Sequence, residues 1–354
     1  MNIDALLAAL RARPALAGLT RDGIAPLPAT GTAHGHARLG VSIGGKPALA
    51  RIAYAHPGDP TAAARLDAQA AAFRHLAPLR LTPALLDVVP PSDALPGGAL
   101  VVEAIDGRAP RIPDELPNLA DTLAAIHAAP LPAAGGPIPV HANPFLATLE
   151  MVERNAALYL DAAVPTQGAR AEIADELRLM RGMSLAFAKR KQPRGVALAD
   201  THPGNFLIDV AGKAWFVDLE KVHVGSPAID LAHCTLPSSV DWHPDIGVPR
   251  TSRADVAAFY ARYLDRIGTR RAEALRPWLM PMRRLTWLRT TMFFCRWRVE
   301  TRGPRDPANP AQWSDAGLDP RMKAHIDARI DDCFARGTIW RIRAEWMGLD
   351  PLAF

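Results

Sequence analysis

The chain has 354 residues, 49% of them hydrophobic and 22% charged, which is enough apolar material for a substantial core in two lobes. It has no run of 18 or more apolar residues and no basic stretch before its apolar N-terminus, so we expect neither a transmembrane helix nor a signal peptide. The net charge is +5, but the arginines are scattered along predicted helices, which favours solvated helix faces over a nucleic-acid surface.

The three cysteines are too widely spaced for a zinc site or a disulfide framework, and they suit a reducing cytoplasm: Cys234, Cys295 and Cys333. No internal repeat of solenoid length occurs.

The first predicted elements are three strands within residues 24–54. Residues 31–36 form the turn between the first two strands, and its two glycines, one of them Gly35, would allow close approach of a backbone. The second and third strands span Ala37–Ile43 and Ala48–Tyr54.

An amphipathic helix and two further strands follow: Thr61–Leu76, Leu81–Pro90 and Ala99–Ile105. Glycine and proline then cluster between residues 106 and 113, which predicts a boundary between an N-terminal lobe, residues 1–107, and a C-terminal lobe, residues 108–354.

The C-terminal lobe is predicted to be mainly helical: Leu116–Ala128, 143–163, 168–190, Ala254–Ile267, Arg271–Glu300 and Arg321–Met347. Its densest arginine group is interpreted as solvated helix faces that also attract a phosphorylated nucleotide: Arg283, Arg284, Arg289, Arg296 and Arg298. Trp287 and Trp297 could line a pocket, but the helix-core interpretation is favoured. Trp242 with His243 is a further candidate for a pocket rim.

The stretch from Leu198 to Asp230 carries the chemistry. A short apolar strand leads into residues 200–205, where Pro203 and Gly204 fix a tight loop. Phe206–Ile208 and Ala214–Val217 then predict a hairpin, which brings its two ends together.

This hairpin should gather Asp200, Asn205 and Asp218 at one rim. Mg²⁺ favours such hard oxygen ligands and shares them with substrate phosphates. A carboxylate that is not bound to the metal can orient and deprotonate an attacking hydroxyl.

These residues resemble the catalytic and metal-binding loops of the aminoglycoside phosphotransferase and choline kinase superfamily, small-molecule relatives of the protein kinases. The family pattern is roughly His-Gly-Asp-x-His-x-x-Asn, then a hairpin, then Asp-x-Glu. Here residues 198–205 read LADTHPGN and residues 217–220 read VDLE. Gly225-Ser226-Pro227, followed by Asp230, also matches the family.

The resemblance implies an α+β, protein-kinase-like, two-lobed fold. Its N-terminal lobe would be a five-stranded antiparallel sheet with one helix, and its C-terminal lobe would be mainly helical with a catalytic β-hairpin. By the same resemblance Asp200 is the catalytic base, and Asn205 and Asp218 bind Mg²⁺. His202 and Asp230 would support the loop.

The resemblance also implies an ATP site. Arg51 stands where the family has a cation on the α/β-phosphates, and Gln69 stands where it has the glutamate that pairs with that cation. The turn with Gly35 would lie over the phosphates, and the segment with Glu103 and Ile105 would hold the adenine edge through its backbone.

Two residues of the loop depart from the family, since Leu198 replaces His and Ala199 replaces Gly. We expect a competent phosphotransferase, because the three residues that touch metal or hydroxyl are present. A nucleotide-binding pseudokinase that acts as an interaction module, a protein kinase and a nucleic-acid binder remain alternatives. A protein kinase is disfavoured because Thr201-His202 follow the Asp and no activation segment precedes Pro227.

The expected partner is a small molecule with a hydroxyl group, with no nucleic acid and no membrane, and the oligomeric state is left open. No motif selects the acceptor. The basic and aromatic character of residues 280–300 argues mildly against an aminoglycoside and leaves a neutral or anionic metabolite open.

Overall fold

A computed structural model describes residues 3–27, 34–53, 55–56, 59–247, 251–306, 308–309 and 311–354. The described strands are β1 Ile24–Leu27, β2 His34–Ile43, β3 Lys46–Ala53, β4 Leu85–Val89, β5 Ala99–Glu103, β6 Gly195–Ala197, β7 Phe206–Ile208, β8 Ala214–Phe216 and β9 His223–Gly225. The described helices are α1 Ile3–Arg11, α2 Ala62–Leu76, α3 Leu116–Ala128, α4 Pro144–Ala163, α5 Gln167–Ala188, α6 Pro227–Thr235, α7 Arg253–Ile267, α8 Thr269–Arg302, α9 Pro320–Cys333 and α10 Arg336–Met347.

The N-terminal strands form one antiparallel five-stranded sheet in the order β1-β2-β3-β5-β4. Gly44 and Gly45, both with positive φ, make the turn between β2 and β3, as the sequence predicts. Side chains of β5 alternate between the two faces of the sheet, because successive residues of a strand point in opposite directions. Leu100 and Val102 join the larger core with α2, while Ala99 and Val101 join a smaller core with α1.

The C-terminal part is built around α8, a 34-residue helix that packs along α4 and against α6. Three of its tryptophans are 1–2% exposed: Trp278, Trp287 and Trp297. For Trp287 this agrees with the helix-core interpretation. Such large side chains dominate the apolar area that a core removes from water, and here they hold α8 in place beside the catalytic stretch.

These features confirm the predicted fold class, an α+β fold with an antiparallel sheet and a mainly helical C-terminal part. The boundary near residue 107 stays a prediction. Among the described residues, no helix is both long and apolar enough to span a membrane.

Three local predictions need correction, and one strand was not predicted. β2 begins at His34, so Gly35 and His36 belong to this strand and not to the predicted turn at 31–36, of which residues 31–33 lie outside the described residues. β4 begins at Leu85 rather than Leu81. The segment 321–347 is two helices, since α9 ends at Cys333 and Ala335 opens α10 in an extended conformation. The sequence also gave no sign of β9, which pairs with β6.

The interpretation of the arginine group as solvated helix faces is wrong for two members. Arg283 is completely buried, and its Nε donates to Glu345 Oε2 at 2.7 Å. Arg284 Nε donates to Glu176 Oε1 at 2.5 Å. Both carboxylates come from helices distant in sequence, so the periodicity of α8 alone could not reveal these buried pairs.

Candidate functional site

A cleft of about 1070 Å³ opens between the sheet and the helical part of the molecule. Six of the predicted site residues line it: Arg51, Gln69, Asp200, His202, Asn205 and Asp218. The structure therefore brings β3, α2 and the 198–220 stretch to one place, although they are far apart in sequence.

The loop that carries Asp200 is held by buried hydrogen bonds from α6. Asp230 is completely buried, and its carboxylate accepts from the backbone N–H of Leu198 at 2.8 Å and of Ala199 at 2.7 Å. His127 Nε2 lies 2.8 Å from the same carboxylate, and its Nδ1 lies 2.8 Å from the hydroxyl of Tyr263. This network fixes the start of the loop, because a fully paired buried polar group is costly to displace.

The two departures from the family pattern have different physical consequences. Leu198 is completely buried and packs in the main core. Ala199 has φ of 61°, in the left-handed region where a Cβ is strained and glycine is favoured. The methyl group of Ala199 therefore costs free energy that a glycine would not.

Asp200 lies beside a lysine that the sequence reasoning did not single out. Lys221 Nζ donates to Asp200 Oδ2, and the same amine lies 3.5 Å from Glu220 Oε1. Burial raises the pKa of Asp200, but the charge of Lys221 opposes it and the pKa lies well below its usual range. Asp200 is thus ionised and can accept a hydrogen bond from a hydroxyl at neutral pH.

Two histidines flank Asp200 without carrying charge. His233 Nδ1 is 3.7 Å from Asp200 Oδ1, beyond hydrogen-bonding distance. Burial lowers the pKa of His202 to about 4, and it lowers the pKa of His233 well below its usual value. Both imidazoles are therefore neutral at pH 7. The backbone carbonyl of His202 accepts from Asn205 N–H at 2.9 Å, which closes the loop.

Three carboxylates in the cleft are close enough to share a cation. One oxygen each from Asp200, Asp218 and Glu220 lies within 4.8 Å of the others. Asn205 Nδ2 donates to the backbone carbonyl of Asp200 at 2.8 Å, and this leaves the amide oxygen on the opposite side of the group. This set of hard oxygen donors suits Mg²⁺. The sequence reasoning quoted Glu220 in the Asp-x-Glu motif but missed it as a possible ligand.

Arg51 finds its acidic partner at the metal site rather than on α2. Its Nη2 donates to Asp218 Oδ1 at 2.5 Å and its Nη1 to the carbonyl of Val217 at 2.6 Å. Its Nε is buried without a partner among the described residues. Gln69 lines the same cleft, but the hydrogen bonds of Arg51 within the described part of the chain go to residues 217 and 218. Although Gln69 is uncharged, Arg51 still has a counter-ion, because it pairs with Asp218.

Two residues predicted to contact the nucleotide, Glu103 and Ile105, are not among the described residues that line this cleft. Gly35 lies in β2 opposite Ile52. The carboxylate of Glu103 forms an ion pair with Lys46 Nζ at 2.8 Å, and the backbone N–H of Glu103 donates to the carbonyl of Ala84. Ile105 follows β5 directly. The roles predicted for Gly35, Glu103 and Ile105 involve backbone groups and stay predictions.

Most of the opposite wall of the cleft comes from residues that the sequence did not single out, although the candidates Trp242, His243 and Trp297 do line it. Trp242, a predicted rim candidate, lines it and stacks on Phe294 at 5.5 Å between ring centroids. Arg296 lies 4.1 Å over the ring of Trp313 and pairs with Glu300. Arg289 and Thr290, adjacent on α8, also face the cleft. Only tertiary packing brings these residues opposite Asp200.

An antiparallel sheet beside a helical part, with an acidic loop and hairpin at the cleft between them, defines a kinase-like protein. The sequence profile of the Phosphotransferase enzyme family matches residues 41–278, which is more than half of the chain. The protein belongs to this family, as the resemblance in its loops predicts. No protein in a search of curated sequences matches it.

Solved structures of low sequence identity share the fold. A choline/ethanolamine kinase family protein from Mesorhizobium loti is 18% identical, with a TM-score of 0.55 over 97% of this chain and 99% of its own. Choline kinase from Cryptosporidium parvum is 13% identical, with a TM-score of 0.56 over 95% of each chain. A GDP complex of aminoglycoside 2'-phosphotransferase-IIIa is 12% identical, with a TM-score of 0.58 over 95% of this chain and 100% of its own.

Proposed function

We propose that the protein transfers the γ-phosphate of ATP to a hydroxyl group of a small molecule, with Mg²⁺ as cofactor. The observation that carries this proposal is the convergence of Asp200, Asn205, Asp218 and Glu220 in one large cleft. Acidic clusters are common on proteins, but this one lies in the family's loop and hairpin, in a chain that belongs to a phosphotransferase family.

Asp200 is the proposed catalytic base. Its carboxylate is ionised and held by Lys221, and it would accept a hydrogen bond from the acceptor hydroxyl and take its proton as transfer proceeds. Phosphoryl transfer needs mainly alignment and charge neutralisation, so a carboxylate of low pKa is adequate for this task.

Asn205 and Asp218 would hold the metal, with Glu220 as a further ligand. Bound there, Mg²⁺ supplies charge neutralisation at the phosphates. Arg51 orients Asp218 and lies where it could also contact phosphate oxygens through its unpartnered Nε.

On the nucleotide side we retain three proposals from the sequence. The beginning of β2, with Gly35, would lie over the phosphates, and the backbone around Glu103 and Ile105 would hold the base. Residues 1–107 would form the nucleotide-binding lobe and residues 108–354 the lobe for catalysis and acceptor binding. A cytoplasmic location also remains a proposal.

One observation favours a second candidate function, a nucleotide-binding pseudokinase. Both functional aspartates already have a cationic partner, since Arg51 pairs with Asp218 and Lys221 with Asp200. If these pairs persisted with nucleotide bound, they would compete with metal and acceptor.

The experiment that separates the two functions is a screen of hydroxylated metabolites with purified protein, Mg²⁺ and ATP. ADP release is measured with each compound, and the product of any positive compound is identified as a phosphate ester by ³¹P NMR. A phosphotransferase gives acceptor-dependent ADP release that stops when the metal is chelated. A pseudokinase binds ATP, as seen by calorimetry, but releases no ADP with any compound.

A further inference from the structure

One cation of the cleft has no carboxylate within hydrogen-bond or ion-pair distance in the described part of the chain. Of the five arginines and lysines that line the cleft, four pair with carboxylates: Arg51 with Asp218, Arg65 with Asp59, Lys221 with Asp200, and Arg296 with Glu300. Arg289 makes no hydrogen bond or ion pair with any described residue. Arg289 is half-buried, and a guanidinium that is partly removed from water without a hydrogen-bonded partner favours an anion beside it.

The acidic residues of the cleft show the opposite situation. Four carboxylates line it, and each has a lysine or arginine partner within 4 Å: Asp59, Asp200, Asp218 and Glu220. A positively charged acceptor would have to displace one of these cations to find a counter-ion. The charge balance of the described cleft therefore disfavours a cationic acceptor.

Three hydroxyl groups of the same cleft also lack partners within the described residues. The side-chain oxygens of Ser238, Ser239 and Thr290 are buried and make no hydrogen bond within the described residues. These residues are 2–5% exposed, and all three line the cleft. Buried hydroxyls are normally hydrogen-bonded, so three unsatisfied ones in one cleft indicate donors that a polar ligand would satisfy.

We propose that Arg289, with the hydroxyls of Ser238, Ser239 and Thr290, binds an anionic group of the acceptor, and that the acceptor is an alcohol carrying a carboxylate. This inference rests on the proposed phosphotransferase function and narrows its substrate class. A planar guanidinium binds a carboxylate through two parallel hydrogen bonds, which would fix the acceptor while its hydroxyl faces Asp200.

The position of the group separates it from the proposed nucleotide site. Arg289 and Thr290 belong to α8, and the two serines follow α6, so all four lie on the helical side of the cleft. Arg51 and Gln69 belong to β3 and α2 on the other side. Burial lowers the pKa of Arg289, and the negative charges of Asp200 and Asp230 oppose this lowering, so Arg289 and Asp200 lie in the same part of the cleft.

The test uses matched acceptors that differ in one group: a hydroxy acid, its neutral amide and the corresponding amino alcohol. Binding to the wild-type protein is measured by calorimetry, and turnover by ADP release. We expect the hydroxy acid to be preferred, and Arg289→Gln to raise its KM and Kd about 100-fold with little change in kcat. The same variant should leave the amide and ATP almost unaffected.

Two further variants control for loss of folding. Arg289→Lys keeps the charge and should recover part of the binding. Arg298→Gln alters another arginine of α8 whose partner is Asp331, outside the cleft, and should leave all three acceptors unchanged. Thermal unfolding of each variant is measured alongside.

Binding and turnover together distinguish the two proposals. Carboxylate binding that depends on Arg289 supports the anion subsite even if no acceptor is phosphorylated, in which case only the phosphotransferase function fails. A preference for the amino alcohol, or unchanged carboxylate binding in Arg289→Gln, would overturn the subsite. Weaker ATP binding in Arg289→Gln would also overturn it, because Arg289 would then contact a nucleotide phosphate.

Discussion

The two walls of the cleft differ in how the sequence encodes them. The motif wall, residues 195–230, carries Asp200, Asn205 and Asp218 on one short loop and hairpin. The acceptor wall comprises α8 and residues 238–243 and 311–318, which meet only through packing. The residues that would perform the chemistry therefore lie close together in the sequence. The shape and charge that would select an acceptor instead depend on segments that only the tertiary structure brings together.

The metal ligands of the motif wall should give the largest effect. Asp218→Asn removes a charge from the proposed Mg²⁺ site and from the partner of Arg51. We expect turnover to fall by about two to three orders of magnitude, because charge neutralisation at the phosphates is worth several kcal/mol. Initial rates over a range of Mg²⁺ concentrations measure this, with Asp161→Asn, an exposed aspartate of α4, as control. An unchanged dependence on Mg²⁺ would remove Asp218 from the site.

The stability of the acceptor wall should depend most on the buried ion pair between Arg283 and Glu345. Arg283→Met leaves Glu345 without the partner that α8 provides, and we expect the free energy of unfolding to fall by about 3–5 kcal/mol. Urea denaturation measures the change. Arg298→Gln breaks an exposed pair of the same helix and should cost less than about 1 kcal/mol. Equal losses in the two variants would show that Arg283 does not anchor this wall.

The motif wall has its own buried anchor in Asp230. Asp230→Asn keeps the size of the side chain but replaces one carboxylate oxygen by an NH2 group. At least one of the three groups that now contact the carboxylate would then face a donor instead of an acceptor. We expect a loss of about 2–3 kcal/mol in the free energy of unfolding. Turnover should fall more than ATP affinity does, because the loop with Asp200 loses its position. A variant with normal stability and a normal rate would argue against the network.

The smallest expected effect is an increase in the free energy of unfolding. Ala199→Gly relieves a positive φ and should stabilise the protein by about 1 kcal/mol. Ala197→Gly, two residues earlier in β6, is the matched control and should destabilise it, because a strand interior gains nothing from glycine. Thermal unfolding distinguishes the two variants. Stabilisation in neither would mean that the backbone at Ala199 is unstrained.

The same contrast explains how far the sequence alone could reach. The loop, the hairpin and the five-stranded sheet follow from glycine, proline and alternating apolar residues close together in the chain. Lys221 beside Asp200 and the pairing of Arg51 with Asp218 could not be predicted, because each joins segments through the folded cleft. Arg283 looked solvated for the same reason, since Glu345 is distant in sequence.

The central claim is that the motif wall performs phosphoryl transfer through Asp200. Its most direct test is to incubate wild-type protein and Asp200→Ala in parallel with Mg²⁺, ATP labelled at the γ-phosphate and a pool of small hydroxylated metabolites. We predict that the wild type produces a labelled phosphate ester. Asp200→Ala should still bind ATP but should form the labelled ester orders of magnitude more slowly. Equal labelling by the two proteins, or ATP binding without labelling by the wild type, would contradict this account.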